Sequence, residues 1–307
     1  VVSKEASNTV EAINFVAEAY GDVNDTCGYY FASHGVDAPR RKAAILLKKL
    51  NDYGAGDLHF VNDSNADDAS LAVGTDTKMI ISQAGNVGIG NSSLETWTSD
   101  YTALQIGGAA SLAATTTQAA GDVSFLSHNC YYDTTNSRWE YMSTNADDEA
   151  SQMYMQNGNV VFRVTSTAGA DDAAVSWNTA MSISNIGNVG IGVTPEATNT
   201  SHDALQIGGN GIWSSYATQG AGGEMDFGQN FFYNQAGNQV YISTDEASRY
   251  RQGGGKHEFA SVASGSSGAT ISWTTNMKID VNSRISLSNN DSGTSNTVFG
   301  YLAGQNL

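Results

Sequence analysis

Repetition constrains this chain more than any other feature. Met79-Ile80-Ile81-Ser82-Gln83-Ala84-Gly85-Asn86-Val87-Gly88-Ile89-Gly90 returns as Met181-Ser182-Ile183-Ser184-Asn185-Ile186-Gly187-Asn188-Val189-Gly190-Ile191-Gly192. A worn third copy runs from Met277-Lys278-Ile279-Asp280 to Arg284-Ile285-Ser286-Leu287. Ala103-Leu104-Gln105-Ile106-Gly107-Gly108 returns as Ala204-Leu205-Gln206-Ile207-Gly208-Gly209. Shorter matches keep the same order. Tyr141-Met142-Ser143-Thr144 matches Tyr241-Ile242-Ser243-Thr244, and Phe31-Ala32-Ser33-His34 matches Phe125-Leu126-Ser127-His128. Collinear matches of this kind mark one structural unit written several times. The units are read as residues 1–92, 93–192 and 193–290, followed by a tail, 291–307.

Each unit reads as strands. Val87-Gly88-Ile89-Gly90 alternates large and small residues with period two, as do Leu104 and Ile106. Asn157-Gly158, Asn210-Gly211 and Gly237-Asn238 are hairpin signals. Residues 41–50 have helical propensity, but matching them to Arg138-Trp139-Glu140-Tyr141-Met142 predicts a strand instead. Residues 51–56 read as a loop. Glycine inside a strand marks close approach of another backbone. Its return at the same place in successive units predicts chains meeting around a shared axis, with Gly88 and Gly190 at the meeting point. The residues expected to carry the repeat are Gly85, Val87, Gly88, Ile89, Gly90, Gly187, Val189, Gly190, Ile191 and Gly192, with Ile285 and Leu287 in the third unit. The fold class expected is mainly β: an elongated repeat of short strands, intertwined in a homotrimeric shaft. A single-chain solenoid is the alternative, although solenoids repeat every ~20–30 residues.

Composition agrees with strands and turns. Charged residues are 15% of the chain, where soluble domains average about 25%. Glycine is abundant at 33 residues and proline scarce at 2, which suits hydrogen-bonded ladders joined by tight turns. A net charge of −17 repels phosphate backbones and anionic membrane surfaces, so nucleic acid and membrane insertion are not expected. No apolar run approaches the ~18 residues of a spanning helix. Cys27 and Cys130 lie in different units at non-equivalent positions, and no disulfide is expected between them.

Motifs that carry chemistry are not found in this sequence. Gly54 and Gly56 lack the third glycine of a dinucleotide loop. Gly253-Gly254-Gly255-Lys256 is followed by His257 rather than Ser or Thr, so it is no phosphate loop. Gly265-Ser266-Ser267-Gly268 has the wrong spacing for a nucleophile elbow. His34 and His128 fall at matched repeat positions, which a single catalytic site would not require; with His59, His202 and His257 they read as structural. Asp67-Asp68, Asp147-Asp148-Glu149 and Asp171-Asp172 read as solvated turns, and no metal or other cofactor is expected. Tyr131-Tyr132 and Phe231-Phe232-Tyr233, at equivalent places, are expected to pack the core rather than stack on sugars, as are Trp97 and Trp213.

Met181-x-Ile183-x-x-x-Gly187-Asn188-Val189-Gly190-Ile191-Gly192, followed by Thr194-Pro195 and Leu205-Gln206-Ile207, resembles the recurring shaft motif of phage tail fibres and tail spikes. Asp57-Leu58-His59-Phe60 and Lys78-Met79-x-Ile81 are similar to the same family. The resemblance covers nearly the whole chain. Residues 296–304 are similar to the segment that precedes a C-terminal intramolecular chaperone in such fibres. The third unit departs from the motif, with Ser283-Arg284-Ile285-Ser286-Leu287 in place of the glycines. The resemblance implies a non-enzymatic homotrimer on the virion. Its partners would be other tail or fibre proteins and, at the far end, a host surface glycan or protein. The stalk of a trimeric bacterial adhesin is the alternative, and a glycan depolymerase spike the third reading.

Overall fold

A computed structural model of the protein describes residues 2–3, 14–15, 22–34, 39–65, 67, 69–144, 147–220, 222–282 and 285–287. It is mainly β, with one long mixed sheet and a single four-residue helix among the described residues. Ser283, Arg284 and the tail 291–307 lie outside those residues.

Two units make up the chain, residues 1–152 with 165–176 and residues 153–164 with 177–307. In the first, β1 (Val2–Ser3) pairs with β2 (Asn14–Phe15). A ladder then follows chain order through β3 (Thr26–His34), β4 (Pro39–Lys49), β5 (Gly56–Asn62), β6 (Thr77–Ile81), β7 (Val87–Ile89), β8 (Tyr101–Ile106), β9 (Ala110–Thr115) and β10 (Val123–His128). Helix α1 (Val73–Asp76) precedes β6. A separate hairpin, β11 (Cys130–Asp133) and β12 (Arg138–Tyr141), precedes β13 (Ser151–Gln156).

The second unit repeats the scheme. Its ladder runs β14 (Asn159–Val164), β15 (Asn178–Ile183), β16 (Val189–Ile191), β17 (His202–Ile207), β18 (Gly211–Tyr216) and β19 (Glu224–Gln229). The hairpin β20 (Phe231–Tyr233) and β21 (Gln239–Tyr241) stands apart. The ladder resumes with β22 (Asp245–Gly253), β23 (Lys256–Gly265), β24 (Thr274–Ile279) and β25 (Ile285–Leu287). Each of these ladder pairs is antiparallel except β7–β8 and β16–β17. A bulge recurs at Phe60/Val61, Phe162/Arg163 and Phe259/Ala260, and at each one the phenylalanine faces a methionine: Met79, Met181 or Met277.

The two parallel steps explain the repeated strings. Parallel neighbours cannot be joined by a tight turn, so the chain must leave the sheet and cross back. It does so in residues 90–100 and 192–201, which pass over one face. Gly85 (φ +89°) and Gly187 (φ +91°) close the turn into β7 and β16, a conformation side chains disfavour. The next residue, Asn86 or Asn188, is buried. Its Oδ1 accepts the N–H of Ala103 (2.9 Å) or Ala204 (3.0 Å) in the following parallel strand. Asn188 Nδ2 also donates to Glu196 O and Thr198 Oγ1 inside the crossing loop. From the other side, Gln105 and Gln206 accept the N–H of Glu95 and Glu196 through Oε1, each at 2.9 Å. Buried backbone groups need such partners.

Gly88 and Gly190 serve the same crossing. A Cβ on Gly88 would lie 2.5 Å from Asn91 O and 2.6 Å from Leu94 Cδ2; on Gly190, 2.2 Å from Val193 O and 2.9 Å from Pro195 Cδ. These glycines therefore face the chain's own returning loop, not a neighbouring chain at an axis. Val87, Ile89, Val189 and Ile191 point to the other side of the sheet.

Residues 41–49 lie in a strand, β4, and Leu50 to Ala55 form its turn. The ladder changes two of the repeat matches. β4 pairs with β5 as β22 pairs with β23, so β22, not the β12 segment at residues 138–142, is its counterpart. Through Ile45↔Phe60 and Tyr250↔Phe259, Tyr29 corresponds to Phe227 and hence to Leu126. Phe31 thus aligns with His128, and His34 and His128 are not equivalent.

Gly190→Val should cost the second unit more than about 3 kcal/mol through overpacking against backbone, seen as lost soluble yield or a collapsed melting temperature rather than as selective loss of assembly. Ser286 takes the corresponding place opposite Lys278 and is exposed. Ser286→Val should melt like the wild type.

Candidate assembly face

Cross-strand pairing lines up apolar side chains into rows that run the length of each ladder. In the first unit the row is Cys27, Leu47, Leu58, Ile81, Val87, Leu104, Leu112 and Leu126, one residue per strand from β3 to β10. In the second it is Val160, Ile183, Val189, Leu205, Trp213, Phe227, Tyr250, Phe259 and Met277, from β14 to β24. A second row lies beside each: Phe60, Met79, Ile89 and Ile106 in one, Phe162, Met181, Ile191 and Ile207 in the other.

These rows are uncovered. Leu112 is 51% exposed, Leu126 53%, Ile207 56%, Trp213 48% and Phe227 59%. Their strand neighbours, which point the opposite way, are sealed: Ala103, Ala113, Ile212 and Ser214 are each at most 3% exposed. The sheet thus has an inner face that its own chain covers and an outer face that the described residues leave open. Contiguous apolar surface of this kind marks a site of association. Covering one half-exposed leucine or phenylalanine contributes roughly 1 kcal/mol, so two rows on two units form a strong driving force.

The inner face is closed by the hairpins and the long loops. Phe231, Tyr233, Tyr241, Ala247 and Ile271 pack together with Ala204 and Ile212. Tyr131 and Phe231 are buried, as a core role requires. Trp97, Tyr101, Phe125, Tyr131, Tyr132 and Trp139 meet edge to face at 4.7–6.3 Å. The first repeat has no hairpin of this kind among its described residues; Leu71 and Val73 beside α1 cover Ala44, Leu46 and Val61 instead. Trp213, expected in the core, lies on the outer row.

Charge is also held on the inner face. Asp226, 1% exposed, receives Arg251 at 2.8 and 2.9 Å and the Tyr233 hydroxyl at 2.8 Å. Burial works against the Arg251 charge, but Asp226 more than offsets it and the guanidinium pKa rises. Arg249 bonds Glu258 and Gln239 and lies over the Trp273 ring. In the second repeat Glu140 is buried under Tyr131, Asn136 and Arg138. Every member of these networks is tied to another side chain or backbone group, with only the Nε of Arg249 left without a partner among the described residues. Such networks are suited to hold the hairpins in place.

Other residues singled out by the sequence are scattered. Asp67 accepts Lys42 Nζ at 3.0 Å, and Lys42 also reaches Asp63 at 2.6 Å; Ala66 and Asp68 lie outside the described residues. Asp148 bonds Ser143, and Asp172 accepts the Tyr131 hydroxyl. Cys27 and Cys130 are not joined in a disulfide. Of the repeat residues, Ile89 and Ile191 reach the outer side row and Val87 and Val189 the main row, while Leu287 pairs with Met277 and Ile285 with Ile279. Gly90 and Gly192 leave the strand by donating to Lys78 O and Ala180 O. The outer face itself, with Leu112, Leu126 and Phe227, is the part that sequence reasoning missed. Its signal was the alternation of small and large residues, as in Ala103-Leu104-Gln105-Ile106. Alternation alone does not say which of the two sets is covered.

Glu95 sits in the first crossover, half-buried, and burial with the nearby Asp171 and Asp172 pushes its carboxyl up to about 7. The folded state therefore holds a proton that the unfolded state releases above its ordinary value, so this group subtracts stability as pH rises from about 4.5 to 7. Glu95→Gln removes that contribution. Thermal melts should show the variant gaining on the wild type from pH 5 to pH 8; a constant difference would contradict it.

Compared with family models, curated proteins and solved structures, the chain matches none.

Proposed function

We propose that this chain is a structural shaft segment of a virion tail fibre or spike that assembles as a homotrimer and supports attachment to the host cell. The uncovered outer face carries the reading. Two ladders present apolar rows to solvent while their small and polar alternates fill the inner face. A chain of this acidity, 31 acidic against 14 basic residues, stays soluble through its remaining surface while copies of itself cover the rows. The occupant is a second copy because the same kind of row recurs in both units, so each unit can be covered by its equivalent in another copy. The number three comes from the resemblance of the glycine-containing strings to fibre shafts; the face requires self-association alone. Partners on the particle would be other tail or fibre proteins, with a host glycan or protein met at the far end.

Chemistry does not enter this role. The buried carboxylates of the inner face hold hairpins, and a depolymerase would instead need two carboxylates facing each other across a groove. Antibody labelling separates the remaining readings: decoration of purified particles supports the fibre, and decoration of a bacterial envelope supports an adhesin stalk.

Sedimentation equilibrium should return three times the 32.3 kDa chain mass. Leu126→Glu with Phe227→Glu places charge in both rows without touching the inner face. That double variant should keep its β circular dichroism and sediment as a single chain. A folded wild-type monomer would overturn the assembly.

A further inference from the structure

Two histidines are built into the inner face in the same unusual way. His59 in β5 is 5% exposed, and its Nδ1 lies 3.1 Å from Thr77 Oγ1. Thr77 gives its hydroxyl proton to Val73 O at 2.6 Å. It can therefore only accept from His59, which fixes the proton on Nδ1. His202 in β17 is 7% exposed, and its Nδ1 lies 2.8 Å from Asn199 Oδ1, an acceptor, so its proton is on Nδ1 as well. The His202 ring stacks on Tyr233 at 3.7 Å and touches Tyr216 at 4.6 Å. In both residues Nε2 is buried with no protein partner among the described residues. Each ring clamps a covering segment: His59 holds the α1 turn, and His202 holds the second crossing loop and the β20–β21 hairpin.

We propose that His59 and His202 are proton-sensitive latches: neutral, they clamp the covering loops to the sheet, and protonated at Nε2 they release them. Protonation would place a charge at a buried nitrogen with no acceptor to receive it. The charged groups facing each ring do not cancel this. His59 faces Asp57 and Lys48, which oppose one another. His202 faces Asp226, Arg251 and Asp203, and Asp226 is already bound two-fold by Arg251. Burial, the largest influence on both rings, favours the neutral form. The sign follows from this. The unfolded or open state binds the proton more tightly, so the clamp holds above the ordinary histidine range and is lost as pH falls below it.

Hydrogen exchange on the full chain tests the latches. Between pH 7.5 and pH 5, protection factors in residues 69–77 and 196–202 should fall by up to about tenfold per pH unit once the pH drops below the ordinary histidine value, levelling off below the folded-state value, as one-proton linkage requires. Ladder strands β8 and β9 should keep theirs. His59→Asn and His202→Asn retain a donor near the Nδ1 position and cannot titrate, so each should abolish the fall in its own segment alone. An unchanged fall in these variants would overturn the proposal. Nitrogen-15 shifts of the wild-type imidazoles give an independent reading that needs no variant. Nδ1-protonated rings titrating below about 6.5 support the latch, and Nε2-protonated rings or higher values refute it.

Discussion

A parallel step inside an otherwise antiparallel ladder is the constraint on which the rest of the structure depends. At β7–β8 and β16–β17 the chain must lift off the sheet, travel its length and return in the same direction. The crossing segment has no ladder of its own, so its backbone needs partners. Asn86 and Asn188 meet it from one strand, and Gln105 and Gln206 from the next. Gly88 and Gly190 leave the space in which it lies. An apolar side chain at any of these places would fill the space or strand a polar group, at a cost of roughly 1–3 kcal/mol per unsatisfied group.

Once the crossings occupy the inner face, the remaining pieces have little choice. The β11–β12 and β20–β21 hairpins and the loops before β15 and β24 close what the crossings leave open, through single bridges such as Glu140↔Ala174 and Val240↔Thr270. Gly169 and Gly265 let those loops lie on the Tyr141 and Tyr241 rings. Among the described residues the covering material is thereby spent on the inner face. The outer face keeps its leucines, isoleucines and aromatics in solvent, and the proposed association between copies would bury them.

The inner face carries titratable groups of opposite habit. Glu95 is pushed toward its protonated form, whereas His59 and His202 are pushed toward their neutral forms. Desolvation is the leading cause in all three, and it always disfavours charge. The acid therefore loses stability on the alkaline side and the histidines on the acid side. Below about 7, and above the lowered histidine range, all three are mostly uncharged.

Much of the fold was legible in the sequence because strand and turn chemistry is local. The period-two alternation, the Asn-Gly turns and the returning strings point to strands, turns and a repeated unit, whereas the strand at residues 41–49 is reached through a match to residues 138–142 that the ladder does not uphold. Pairing partners were less accessible. Matching Phe31 to Phe125 relied on similar letters, whereas the true alignment, three residues away, is set by the bulges and by which strands bond. The direction of Gly88 and Gly190 was also beyond the sequence. Glycine in a strand announces that a backbone comes close, but not whose. Here the crossing loop supplies it, and that depends on two strands being parallel. Which face of an alternating strand is covered by its own chain is likewise a tertiary fact: a leucine reads the same whether its neighbours are a hairpin or another copy of the molecule.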